Sequence, residues 1–294
     1  MSWLILIAYI VIFFGLVVAA GVYQRRTRKD RRPFPDNFKL LRGPGETLRR
    51  RTAELSENLM MYFCFAMGIP LAVSFAFLWV TTQLEGRQQL YGLVITVVAL
   101  IASLVFSIRR LLAVLDRWTN HDLGHFGERI VGEALDPLKA QGFRVFHDVP
   151  AGDDKNPFNL DHVIVGPSGV FAIETKTRRK GRARSGFAEH EIIYDGQVLA
   201  YPWGEDRHGL DQALRQARWL EKWLGQLLGT DIPVQPILTF PGWMVITRAR
   251  GIVTVLNPKQ IPAAVALRGA PTLTADQIDL VARQLEARCR DVEF

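Results

Sequence analysis

Residues 159–177 read NLDHVIVGPSGVFAIETKT. Two apolar runs flank Gly166-Pro167-Ser168-Gly169, a tetrad of turn formers, so the stretch predicts a tight β-hairpin. Symmetric pairing about that turn puts Val165 opposite Val170, Val163 opposite Ala172 and Asp161 opposite Glu174. Side chains alternate with period two, so Glu174 and Lys176 share a face, and Asp161 emerges on the same one. The two carboxylates become cross-strand neighbours about 5 Å apart. A slip of one residue would separate them. Carboxylates that close repel each other, and burying them without a partner is costly. Lys176 offers an ion pair, which needs only one acid. The second acid points to a divalent cation: Mg²⁺ takes one or two carboxylates and completes its shell with waters and phosphate oxygens. A buried salt-bridge cluster is the competing reading.

Around the hairpin the pattern is that of one α/β domain. Residues 127–140 carry Ile130, Val131, Ala134, Leu135 and Leu138 on one helical stripe, and Pro137 should end or bend that helix. Glu128 borders the stripe, whereas Glu133 falls on the far, solvated face. Residues 143–149 alternate like a strand. Residues 191–194, 232–240, 243–247 and 251–256 are further strand candidates. Residues 208–228 form a strong helix, with Leu210, Leu214, Ala217, Leu220 and Leu224 in phase. Thr274 and Gln277 spell a capping box for a last helix. Strands alternating with helices predict a mixed sheet flanked by helices.

With these elements in order, the residues resemble a known family. Asp161, then Glu174-Thr175-Lys176 on the next strand, resembles the core of the restriction-endonuclease-like (PD-(D/E)xK) nucleases. More narrowly, GERIVGEAL, DHVIVGPSGVFAIETK and the glutamine-bearing DQALRQARWL are similar, in that order, to the nuclease-related domain, NERD. The resemblance covers about residues 124–243. It implies a restriction-endonuclease-like fold and phosphodiester hydrolysis, with DNA as the expected nucleic-acid partner. It implies Mg²⁺, or Mn²⁺ as a substitute, on Asp161 and Glu174, with Lys176 positioning the attacking water and stabilising charge on the phosphate. Glu128 matches the family's helix glutamate and Gln212 its downstream glutamine, with Gln216 one turn on as the substitute. Leu160 stands where the superfamily's nominal proline would be.

The run Arg178, Arg179, Lys180, Arg182 and Arg184 follows the candidate site and is expected to touch phosphates; a solvated loop is the plain alternative. Alternation turns His162 to the opposite face, as a core histidine. His121 and His125, at helical spacing, read as juxtamembrane surface, and Trp219, Trp223 and Trp243 as core or interface aromatics.

The chain has 294 residues, 49% of them hydrophobic, and a net charge of +7. Its apolar residues are concentrated: residues 3–23, 59–80 and 90–108 hold no charge and are each about long enough to span a bilayer. Eleven Lys and Arg lie in residues 24–58 and one, Arg87, in 81–89. The positive-inside rule then puts the basic loop and everything after Arg109 in the cytoplasm and the N-terminus outside, in a multi-pass cell membrane of the bacterial inner-membrane type. The basic loop would also attract anionic lipid. The first run has no basic start and is too long for a cleaved signal peptide. The expected division is a membrane anchor over 1–115 and a cytoplasmic nuclease-like domain over 116–294. Two cysteines, Cys64 and Cys289, allow neither a disulfide framework nor a zinc site. Together these readings predict a membrane-anchored, Mg²⁺-dependent nuclease. The alternatives are a non-catalytic DNA-binding or tethering module on the same fold, and a membrane structural or signalling protein.

Overall fold

The computed structural model describes residues 12–13, 15–16, 18–20, 22–23, 39–266 and 272–292. The chain forms two units, one of Met1–Lys39 with Glu293–Phe294 and one of Leu40–Val292. The span expected over 3–23 falls mostly outside the described residues. Among those described, two helices are long and apolar enough to cross a membrane, not three.

The larger unit opens with β1 (Leu40–Leu41) and α1 (Glu46–Thr81), a 36-residue helix. The basic loop expected over 24–58 is therefore helical from Glu46 onward. After a short link comes α2 (Arg87–Leu135), 49 residues long, which joins the third apolar run and the helix of Glu128 into one rod. No break marks the expected division between 115 and 116. Large apolar side chains on both helices face outward, among them Phe63, Phe75, Val94 and Phe106. Small or compact residues make the approach between them: a Cβ on Gly92 would collide with the Thr81 methyl group. As Pro137 predicts, α2 stops at Leu135 and tightens into a 3₁₀ helix over Asp136–Gln141.

Three strands follow, β2 (Arg144–Gly152), β3 (Pro157–Gly166) and β4 (Gly169–Thr175). The hairpin register is the expected one, with Val165 opposite Val170 and Val163 opposite Ala172. Next come β5 (Glu191–Tyr194), β6 (Leu199–Tyr201), β7 (Gly204–Asp206) and α3 (His208–Leu228). The chain ends with β8 (Val234–Thr239), β9 (Met244–Thr247), β10 (Thr254–Leu256), α4 (Ile261–Ala266), α5 (Ala275–Cys289) and β11 (Arg290–Val292). The Thr274–Gln277 capping box starts α5 as read.

The main sheet runs β10-β8-β4-β3-β2, antiparallel through the hairpin and parallel from β4 to β8 and β10. A mixed sheet flanked by helices is thus realised. On one face Val163, Val165, Val170 and Ala172 meet Ala217, Leu220 and Leu224 of α3 and Val281 and Leu285 of α5. On the other, Ile164, Phe171 and Ile173 meet Val131 and Leu135 of α2 and Val265 of α4. Burying these side chains is the main stabilising contribution, roughly 1.5–3 kcal/mol for each large aliphatic group. A second sheet, β7-β6-β5-β9, packs its own core around Tyr194, Tyr201, Phe240 and Trp243.

Candidate active site

The site lies where the β3–β4 ladder gives out. Backbone pairing stops at His162–Ile173, and beyond it the Asp161 side chain takes over: its Oδ2 accepts the Thr175 N–H at 2.7 Å. Glu174 is only 2% exposed, with Oε1 at 2.6 Å from Lys176 Nζ. That ammonium also donates to Gln212 Oε1 at 2.8 Å, so α3 and β4 jointly aim it. Gln212 is therefore the glutamine beside the lysine. Gln216, one turn later, is buried over Asn159, whose carbonyl it approaches at 3.4 Å.

Glu128 arrives from α2, which must pass the end of β4 closely. Glycine permits this, because a Cβ on Gly127 would collide with the Thr177 hydroxyl. Glu128 is 8% exposed, while the Glu133 side chain is 73% exposed, as the stripe requires. Burial pushes the Glu128 carboxyl up to about 8, helped by the charges of Asp148 and Glu174 and opposed by a hydrogen bond from the Gly45 backbone. Burial also raises Asp161 well above the usual carboxylate range, and Glu174 and Glu128 add to it. Burial and mutual repulsion thus both favour the neutral form of these acids.

Glu128, Asp161, Gln212 and Gln216 line one cleft of about 820 Å³. Among the described residues, Glu128 Oε2, Glu174 Oε2 and Gln216 Oε1 are buried without a hydrogen-bond partner. Buried acceptors left this way cost free energy unless something supplies donors or charge. Hard oxygen donors around mutually repelling acids suit Mg²⁺. Among the described residues no group of three or more His, Cys, Asp or Glu forms a ready metal site. A cation would use Asp161 and Glu174 and fill its remaining positions from water and substrate.

The chain carries a nuclease-related domain, NERD, over residues 123–241. No curated protein and no solved structure matches the chain. Every residue singled out by resemblance in the NERD segment, namely Glu128, Asp161, Glu174, Lys176 and Gln212, converges on this site.

The basic run does not line the cleft. It forms an exposed loop that turns toward the second sheet: Arg178 lies 3.8 Å from Asp206, Lys180 sits over the Trp243 ring, and Arg184 reaches the Tyr201 carbonyl. His162 is a core residue, as expected, with Nδ1 at 2.8 Å from His147 Nδ1; burial lowers both rings, His147 to about 4. His125 bonds the Gly45 carbonyl at 3.1 Å, so it belongs to packing between α1 and α2. Trp219 and Trp223 stack on each other against the α3 core, while Trp243 anchors the loop through its indole N–H to Arg178 O.

Sequence reasoning missed Asp148. This strand acid, 3% exposed and at φ 47°, accepts the backbone N–H and hydroxyl of Thr47 at 2.8 and 2.7 Å. Arg42 and Asn159 also donate to it, at 3.1 and 2.9 Å. The N-cap of α1 is Gly45, which has no side chain to offer, so Asp148 caps that helix from β2. An aspartate inside a strand pattern is the one signal that could have pointed to it. Also unforeseen, Arg42, Thr47, Leu48 and Arg51, all before the NERD segment, line the same cleft.

Proposed function

We propose that this protein is a membrane-anchored, Mg²⁺-dependent nuclease that hydrolyses phosphodiester bonds of cytoplasmic DNA, on a restriction-endonuclease-like sheet. The observation that carries the reading is the convergence of Asp161, Glu174, Lys176 and Gln212 at one end of the β3–β4 hairpin, where Glu128, Asp161 and Gln212 line a cleft and Oε2 of Glu128 and of Glu174 is buried without a partner. Asp161 and Glu174 are the ligands for Mg²⁺, which Mn²⁺ can replace. When bound, the ion supplies a Lewis acid that polarises phosphoryl oxygens and acidifies water.

Lys176 does the remaining electrostatic work. Held between Glu174 and Gln212, its ammonium is fixed before substrate arrives and donates to the phosphate oxygen on which charge builds. Preorganisation of this kind avoids reorganisation at the moment of reaction. The Glu128 carboxyl, pushed up to about 8 chiefly by burial, gives up its proton more readily once a cation sits beside it. Arg178, Arg179, Lys180, Arg182 and Arg184 supply a positive surface outside the cleft for backbone phosphates further along the strand.

The two helices long and apolar enough to cross a membrane support anchoring. The charge asymmetry between residues 24–58 and 81–89 supports an outside N-terminus and a cytoplasmic C-terminal domain. A specific observation also keeps a binding module in view: Lys176 is already ion-paired with Glu174. Cleavage assays on labelled DNA and RNA, with and without Mg²⁺, separate the two. Mg²⁺-dependent cleavage that Lys176→Ala reduces about 10²- to 10³-fold supports catalysis. A folded wild type that binds DNA but cuts no form of it leaves the binding module.

A further inference from the structure

Among the described residues, three guanidinium groups in different states line the cleft. Arg42 is committed, bonded to Asp148 and Asp291 and 11% exposed at its side chain. Arg51 on α1 and Arg215 on α3 are exposed, and among the described residues neither makes a hydrogen bond or ion pair. Their neighbours differ: Arg49 and Arg50 both close onto Glu46, at 2.8 Å each. Of three consecutive arginines, only the third faces the cleft. Arg215 shares its helix face with Gln212, Gln216 and Trp219, by the three- and four-residue spacing of a helix, and all four line the cleft.

Charge makes these two side chains consequential. The charge of Lys176 is offset by Glu174, so it adds little net attraction for a polyanion. A phosphate chain entering here needs cations that are not already neutralised. Guanidinium is suited to this task, because its fork holds two phosphate oxygens at once and it never deprotonates. We propose that Arg51 and Arg215 grip the phosphates flanking the scissile one, so that a polynucleotide backbone lies between the membrane-leading helix α1 and the NERD helix α3. This rests on the nuclease reading of the site. It makes α1 a wall of the substrate cleft: Gly45 bonds Glu128 and Thr47 bonds Asp148, so the helix bearing Arg51 is fixed to the acids themselves.

The test uses the full chain in detergent micelles, with Asp161→Asn as background so that strands stay uncut. Binding of fluorescein-labelled duplex DNA, single-stranded DNA and RNA is followed by anisotropy over a salt series. Arg51→Gln and Arg215→Gln should each lower the slope of log affinity against log salt, by about 0.9 on duplex and about 0.7 on single strands. Arg51→Lys should keep the slope. Arg218→Gln, also exposed on α3 but outside the lining of this cleft, is the control. In the active protein both glutamine variants should raise KM and spare kcat, the pattern of lost uniform binding. Unchanged slopes in both variants, or an equal fall in the control, would overturn the proposal while leaving the nuclease reading intact. Arginine-dependent slopes in a wild type that cleaves nothing would uphold the grip and remove the catalysis. A wild type that binds no polynucleotide overturns both.

Discussion

Glu128 and Asp161 make the site sensitive to pH in a direction opposite to most carboxylates. Folding raises the Glu128 carboxyl from its ordinary 4.5 to about 8, so the folded chain holds a proton that the unfolded chain releases. Stability from this group is complete below about 4.5 and is lost as pH rises through about 8. Asp161 acts in the same sense. The metal-free protein should melt at a higher temperature at mildly acidic pH than at alkaline pH, and Glu128→Gln should reduce that dependence. A melting temperature that rises with pH across this window would contradict the assignment. Millimolar Mg²⁺ should raise the melting temperature most at alkaline pH, since a ligand bound only by the folded state stabilises it. Asp161→Asn should abolish the gain, and an equal Mg²⁺ response in that mutant would rule the ligand out. Lys176→Ala removes the partner of a carboxylate only 2% exposed. Without metal the variant should melt earlier; with Mg²⁺ it should fold, bind the ion and cleave poorly. This pattern distinguishes a catalytic lysine from one that merely neutralises Glu174.

At the scale of elements, the hairpin was legible because local rules suffice for it. A turn tetrad and alternating side chains fixed the register, and the register placed Asp161 and Glu174 together. The helix of Gln212 was equally readable from its apolar spacing. The junction of α1 with the sheet was not, because Asp148 and Thr47 are 101 residues apart in sequence, and neither belongs to a periodic pattern. The course of the basic run was not legible for a related reason: charge composition reveals the need for solvent or phosphate, not the direction a loop takes once Trp243 has anchored it. Asp148→Ala should test the junction. It leaves Arg42 and the Thr47 N–H without their buried acceptor, and removing one partner of a buried ion pair costs about 3–5 kcal/mol. Thermal unfolding of the detergent-solubilised chain should show the loss, together with weaker DNA binding as the Arg51 wall loosens. A variant as stable as wild type would show that α1 holds its place without this cap. Gly127→Val should act elsewhere, forcing α2 away from Thr177 and displacing Glu128, with activity falling further than stability.

For the whole molecule, the three apolar runs and their flanking charges were plain in the sequence, but the union of the third run with the helix of Glu128 was not. Nothing between Arg110 and Glu128 breaks a helix, yet composition alone cannot distinguish a link from a rod. The proposed topology predicts that a reporter active only in the cytoplasm works when fused after Phe294. Silence there, with activity from a reporter that works only outside, would reverse the orientation and remove cytoplasmic DNA as substrate. The unbroken α2 has one further consequence. If Arg110 sits at the headgroups, the eighteen residues to Glu128, at 1.5 Å each, raise that carboxylate by up to about 27 Å. The negative field of anionic lipid decays within roughly 8 Å at physiological salt. In the proposed membrane-anchored nuclease the rod would then act as a stilt: it would keep the cleft on a short tether to the bilayer while lifting it clear of the surface charge that would turn a polyanion away.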